Sequence, residues 1–277
     1  TPTAALAGVV TGHATAYTVL GHPTAESLRA RRLDPLLFRT TVRRVRAPLA
    51  LSASAAAGVA ELTGVRPQVV PPGLRTAQFP LVAGPRSGPP TVLFASDAGD
   101  RRKGLDLLLA AFVQLLDEMP DCRLVLAGGG DTSWAFAAFT TVERMRIRDR
   151  VDDVGAGELA DLPARFAAAW VTVLPSLNEA FGLVLVESMA TGTPVVACAS
   201  GGPTEIVDRP EVGRLAPPGD PAALAAALQS ALALAADPDT AHRCAQQARR
   251  WDWGEVVGPA HLEVYERTAR ASRISTR

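Results

Sequence analysis

From Thr91 to Ala199, short β-branched and apolar runs alternate with helical stretches at a regular interval, and that alternation leaves few folds open. The runs are TVLFAS, RLVLA, VDDVG, WVTVLP and PVVACA, and helices are predicted from Gly104, around 133 to 147, over 159 to 169 and over 182 to 191. Strand, helix, strand in repetition predicts a parallel sheet wrapped on both faces by helices, an α/β fold. Ligands of such sheets bind outside the carboxyl ends of the strands, so the residues that follow each run are the first candidates for a site.

The stretch from Ser176 to Ala197, SLNEAFGLVLVESMATGTPVVA, carries the densest signal. Glu179 and Glu187 stand eight positions apart and bracket a glycine that can open a helix. Glu179 falls in the loop after a strand. Phe181, Gly182 and Leu183 supply backbone N–H groups at the helix start, where anions are favoured. Glu187 falls about a turn and a half inside, on the face of Leu183. Such a site suits a ligand with a diphosphate in its middle and hydroxyl-bearing sugars at both ends, because carboxylates accept hydrogen bonds from hydroxyls. The bland readings are a solvated loop carboxylate for Glu179 and an exposed helix position for Glu187.

The run Glu-Ala-Phe-Gly-Leu-x3-Glu-Ser-Met-Ala-x-Gly-x-Pro-Val-Val resembles the Glu-x7-Glu signature of glycosyltransferase family 4, the retaining nucleotide-sugar transferases of the GT-B fold. The resemblance implies that Glu179 holds the donor sugar and Glu187 the ribose of the nucleotide. Further matches follow in order over roughly the last two thirds of the chain. Arg101-Arg102-Lys103-Gly104 resembles the turn whose Lys contacts the donor diphosphate, and LVLAGGG (Leu124 to Gly130) resembles the strand and glycine turn beyond it. Gly201 to Val207 and Val212 to Asp220 resemble two later elements. The family commonly carries an Arg five positions before the Lys; here that position is Ala98, and Arg101 or Arg102 takes its place. The glycines at 128 to 130 also serve simply to turn the chain.

The implied fold is GT-B, with two Rossmann-like domains and parallel sheets. Residues 1–84 read as a partial acceptor-side domain with strand-like YTVL, PLALS and PQVVPPG, 85–250 as the donor-binding domain, and 251–277 as a helix crossing back to the first domain. The Pro- and Gly-rich segment from Pro80 to Pro90 reads as the hinge. The first strand and glycine-rich loop usual in the family have no counterpart, and the chain opens at Thr1, so the first domain is expected to be incomplete. His22, in TVLGHP, resembles the histidine at the interdomain cleft of many members; a structural histidine capping a strand end is the plain alternative.

Composition narrows the partners. Net charge is zero over 277 residues, which gives no broad attraction to nucleic acid. Three scattered cysteines, Cys122, Cys198 and Cys244, form neither a disulfide framework nor a zinc motif, and fit a reducing cytoplasm. No apolar run approaches the roughly 20 residues that span a bilayer. Residues 29–46 are rich in arginine with interleaved leucine and phenylalanine. A segment of this kind either packs its apolar side on its own domain or lies peripherally on an anionic membrane face.

The sequence therefore points to transfer of a sugar from a nucleoside-diphosphate sugar to a hydroxyl of a glycan, lipid or small molecule, with retention and without metal or other cofactor. Lys103, Glu179 and His22 are the catalytic candidates, and Arg101, Arg102, Phe181, Gly182, Leu183 and Glu187 the donor-binding ones. A different class shares the same donor residues: a non-catalytic nucleotide-sugar-binding module left by N-terminal truncation. The Glu-x7-Glu signature speaks against a third reading, a related epimerase.

Overall fold

The computed structural model of the chain describes residues 5, 7, 8, 10–30, 35–84 and 86–274. They form two compact units: one comprises the residues up to Gly73 together with Glu179–Phe181 and the segment from Trp251 onward, the other Leu74–Asn178 and Gly182–Arg250.

The first unit is built on three parallel strands, β1 (Ala16–Val19), β2 (Ala47–Ala50) and β3 (Gln68–Val69), in the order β1-β2-β3. Helices α1 (Ala25–Ala30), α2 (Pro35–Arg44) and α3 (Ala53–Thr63) connect them. Ser52 caps α3 by accepting from the Ala55 N–H at 3.0 Å, and Gly64 ends it in the left-handed conformation. Val19, Leu28, Phe38, Val42 and Val59 form one buried cluster. Leu49 and Val70 form another with Val264, which belongs to the last helix, Gly258–Ile274. Of the arginine-rich stretch 29–46, residues 31–34, including Arg31 and Arg32, lie outside the described residues. Helix α2 buries Phe38, Thr41 and Val42 in its own core and leaves Leu36, Arg39, Arg43 and Arg44 exposed. Among the described residues no helix is long and apolar enough to cross a membrane.

The second unit holds a six-stranded parallel sheet in the order β6-β5-β4-β7-β8-β9. Its strands are β4 (Thr91–Phe94), β5 (Arg123–Leu126), β6 (Val151–Asp153), β7 (Val171–Leu174), β8 (Val195–Cys198) and β9 (Gly213–Ala216). Strands β7 and β8 are buried at every position, as expected for strands covered on both faces. The intervening helices are α4 (Leu105–Glu118), α5 (Ser133–Phe136), α6 (Thr141–Arg148), α7 (Leu162–Ala168), α8 (Leu183–Ala190), α9 (Pro203–Ile206), α10 (Pro221–Leu234) and α11 (Thr240–Ala248). In α4, Leu105, Leu108, Leu109, Phe112, Leu115 and Leu116 recur at helical spacing and pack in one cluster with Leu224, Leu228 and Leu232 of α10. At about 1.5–3 kcal/mol per fully buried side chain, this helix pair is a principal source of the unit's stability.

The predicted elements appear with several differences, one of them that the closing helix expected from Trp251 begins at Gly258, after a 3₁₀ turn at Arg249–Trp251 and a π-helical turn at Trp253–Val257. The segment expected as one helix around 133 to 147 is two, because Thr140 caps α6 in a reciprocal box with Glu143. That expected over 159 to 169 begins as a single 3₁₀ turn, Leu159–Asp161, before α7. Strand β9 was not foreseen as a strand. Finally, residues 74–84, read with the first domain, go with the second unit. The Val82 N–H donates to the Thr191 carbonyl at 3.1 Å. The Arg86 guanidinium donates to the carbonyls of Ala167 and Gly192 and to the Thr193 hydroxyl. The Pro-rich segment is thus bonded to the second unit by groups that the sequence pattern does not report.

Candidate functional site

In the second unit the strand order reverses between β4 and β7, and the crevice at such a reversal is where doubly wound sheets bind ligands. The loop after β4 runs to the start of α4 and contains a 3₁₀ turn, Arg101–Lys103. The loop after β7 runs to the start of α8. A hydrogen bond from the Leu177 N–H to the Arg102 carbonyl, 3.0 Å, joins the two. Gly104 permits this approach: its φ is 73°, and a Cβ there would lie 2.4 Å from the Pro175 carbonyl oxygen.

The three cations of the turn have different surroundings. The Asp100 carboxylate accepts from the Arg102 N–H and from Arg102 Nε, each at 3.0 Å, and so caps the turn and holds one guanidinium. Burial pushes the Asp100 carboxyl up, but the hydrogen bonds and charge of Arg102 and the charge of Lys103 outweigh it and hold the group below the usual range. The Arg101 guanidinium lies over the Trp134 ring, 5.0 Å from its centroid. Trp134 is fixed in turn by donating its Nε1–H to the Ala98 carbonyl at 2.9 Å. Lys103 is half-buried at the end of the turn. The Trp134 platform was not read from the sequence, since a tryptophan after a glycine turn carries no sign of which loop it will meet.

The glycine turn Gly128–Gly130 is structural. Its Gly129 carbonyl accepts from the Ala98 N–H at 2.8 Å, and a Cβ on Gly128 would fall 1.6 Å from the Ser96 carbonyl oxygen. The loops after β4 and β5 therefore meet backbone to backbone. Ala98, where the family commonly has an arginine, is buried within this contact.

Helix α8 begins at Gly182, which provides no side-chain cap. Its first-turn N–H groups, Leu183 among them, therefore face the strand-end side without a competing side-chain acceptor, a favourable place for an anion. Deeper in α8, Ser188 donates its hydroxyl to Thr172 of β7 at 2.8 Å, which fixes the rotation of the helix. Its neighbour Glu187 is half-buried and has no hydrogen-bond or ion-pair partner among the described residues. Burial pushes its carboxyl up to about 7. A desolvated carboxylate without a partner is costly in the free chain and is an acceptor ready for a ligand hydroxyl.

The remaining candidates fall in the first unit. Glu179 is half-buried and follows Asn178, whose φ of 58° is unusual for a residue with a side chain. The Asn178 N–H donates to the Ser200 hydroxyl at 3.0 Å. The Phe181 ring is buried edge-on against Trp251, with 6.0 Å between centroids, so its side chain serves packing. His22 lies after β1, with Nε2 3.1 Å from the Ser54 hydroxyl and Nδ1 buried without a protein partner. The second unit thus gathers Arg101, Arg102, Lys103, Gly182, Leu183 and Glu187 along the strand-end side of β4 and β7, whereas Glu179, Phe181 and His22 belong with the other unit. The thiols Cys122, Cys198 and Cys244 are buried and unpaired, and burial pushes them up to about 12, 11 and 12.

Residues 82–251, more than half of the chain, match the family described as Glycosyl transferases group 1. The chain belongs to that family. Among curated relatives, it is 38% identical over 197 residues to the phosphatidyl-myo-inositol mannosyltransferase of Mycobacterium leprae, an alignment that covers 69% of this chain and 50% of that protein. It is 34% identical over 223 residues to the glycogen synthase of Mycobacterium tuberculosis, covering 78% of this chain and 51% of the other. The chain spans about half the length of these relatives. Among solved structures, the sucrose-phosphate synthase of Thermosynechococcus elongatus superposes with a TM-score of 0.77 at 28% identity, over 94% of this chain and 69% of that one. The chain has the α/β, GT-B type of fold, with Rossmann-like parallel sheets.

Proposed function

We propose that this chain transfers a sugar from a nucleoside-diphosphate sugar to an acceptor hydroxyl, with retention of anomeric configuration and without a metal ion. The observation that carries the reading is the junction of the Arg101–Lys103 turn with the loop that leads into α8. It supports a cradle for a diphosphate, in which fixed cations and the uncapped N–H groups of Gly182 and Leu183 balance the charge that builds on the leaving group.

Arg101 and Lys103 are the assigned diphosphate ligands. Arg102 is assigned to holding the turn through Asp100 rather than to the ligand. Stacking on Trp134 leaves the rim of the Arg101 guanidinium available for hydrogen bonds. Glu187 takes the ribose hydroxyls, which supply the partners its carboxylate lacks. Glu179 as donor-sugar ligand and His22 on the acceptor side rest on the family resemblance alone. A glycan, lipid or small-molecule hydroxyl is the acceptor class.

Calorimetric titration with UDP, GDP, ADP and dTDP in the presence of chelator tests the donor half. Saturable binding of one nucleotide selects the donor and justifies turnover assays with candidate acceptors. No binding by the folded chain refutes the site. Binding of nucleotide sugar without turnover on any acceptor would favour a non-catalytic binding module.

A further inference from the structure

The first unit contains a cavity of about 240 Å³ that lies away from every residue assigned above, at the starts of β2 and β3 rather than at their ends. Its walls are Arg46, Ala47, Pro48 and Leu49 on one side, Arg66 and Gln68 on another, and Arg267 and Thr268 of the last helix on the third. Three arginines from three separate segments thus line one space. Arg46 sits on the connection between α2 and β2, Arg66 on that between α3 and β3.

Among the described residues only one carboxylate, Glu263, stands near these three charges. Neither Arg46 nor Arg66 has a carboxylate or hydrogen-bond partner among the described residues. Arg267 donates to the Gln68 side-chain carbonyl and has one loose carboxylate neighbour, Glu263, at 3.7 Å. The hydroxyl of Thr268 donates to the Val264 carbonyl at 2.7 Å, which leaves its oxygen lone pairs as a minor acceptor. Three like charges around one concave space repel one another unless an anion enters. The guanidinium fork suits the oxygens of a phosphoryl group, which it can meet with paired hydrogen bonds. Ala47, Pro48 and Leu49 make part of the lining apolar, which would take a small hydrocarbon portion beside the charge. A water in liquid fills about 30 Å³, so the space admits a phosphoryl group with part of its ester.

We propose that Arg46, Arg66 and Arg267 form a second anion site, separate from the donor site, that takes the phosphoryl group of a phosphomonoester. That group is carried either by a soluble molecule or by a lipid head at a bilayer surface. The site does not depend on the donor assignment, since it shares no residue with it.

The test uses the whole chain, its Arg46→Gln/Arg66→Gln double variant, and an Arg39→Gln/Arg44→Gln control that removes equal charge from exposed positions of α2. Inorganic phosphate and glycerol phosphate are titrated calorimetrically with the Lys103→Met variant as background, so that the donor site does not contribute. Co-sedimentation is measured with phosphatidylcholine vesicles with and without phosphatidic acid. The expected result is binding of the soluble ions, of the phosphatidic acid vesicles, or of both, weakened about tenfold or more by Arg46→Gln/Arg66→Gln and little by the control pair. Binding of the soluble ions identifies a soluble ligand, and binding of vesicles alone identifies a lipid head. No binding of either kind overturns the proposal. So does an equal loss in both double variants, which would mark a diffuse attraction of charge. The circular dichroism of each variant, unchanged, shows that the exposed substitutions leave the fold intact.

Discussion

A Cβ placed on Gly104 would lie 2.4 Å from the carbonyl oxygen of Pro175, so the loops after β4 and β7 touch at a point where only hydrogen fits. Gly104→Ala adds a left-handed backbone penalty to this clash, and the loops must part. Stability is expected to fall by about 2–4 kcal/mol. Because the same displacement breaks the Leu177 to Arg102 hydrogen bond, nucleotide affinity falls with it. Urea unfolding and nucleotide titration on the same preparation check this, and unchanged affinity in a folded Gly104→Ala chain would refute the junction's role.

The three cations of the turn are expected to separate by function. Lys103→Met and Arg101→Ala each remove a charge from the proposed diphosphate and should weaken nucleotide binding by about 10- to 100-fold. Arg102→Ala loses an exposed pair with Asp100, worth at most about 1 kcal/mol of stability, and weakens nucleotide binding much less. The reverse order of Arg101 and Arg102 in a titration series would show that the guanidinium roles are exchanged.

Glu187 should leave a signature in the pH dependence of stability. Its folded pKa, about 7, lies above the ordinary carboxylate value of 4.5, so the folded chain holds this proton more tightly than the unfolded chain. This contribution is therefore fully favourable below the unfolded pKa, and it is lost as pH rises through the window from 4.5 to about 7. Allowing for the side chain's partial contact with solvent, the loss is about 2 kcal/mol or less. Glu187→Gln should flatten that part of the profile and weaken nucleotide binding. Urea midpoints at several pH values for both chains decide it, and parallel profiles would show that Glu187 titrates normally.

Arg86 closes carbonyl groups that would otherwise be left bare. Arg86→Ala leaves the Gly192 and Ala167 carbonyls and the Thr193 hydroxyl without their donor. The expected cost is about 2–4 kcal/mol, with little change in nucleotide affinity. Differential scanning calorimetry with and without nucleotide separates the two effects. Loss of affinity at full stability would be inconsistent with a purely structural anchor.

The elements of the second unit as far as β8 were legible because each rests on local pattern, whereas β9 and the helices after β8 were not foreseen. The β-branched runs of β7 and β8 became strands buried on both faces, and the leucine spacing of α4 became its contact with α10. The capping box at Thr140 was not read, and the helix it divides was expected whole. Tertiary bonds were not legible either. Proline and glycine between 80 and 90 report a chain unable to form a helix; they say nothing of Arg86, whose partners stand 81 to 107 residues away. In the site, Lys103 and Glu187 were marked by the family motif. The pairing of Arg102 with Asp100 and of Arg101 with Trp134 was not, because it depends on how two loops meet.

The backbone contacts at Gly104 and Gly128 also limit how the crevice can be altered. Where Pro175 and Ser96 carbonyls lie within 2.4 and 1.6 Å of the missing Cβ positions, no larger residue can be accommodated without moving a main chain. The base of the crevice is thus closed to reshaping by substitution, and any change in what it holds is left to side chains at the rim rather than to the main chain beneath.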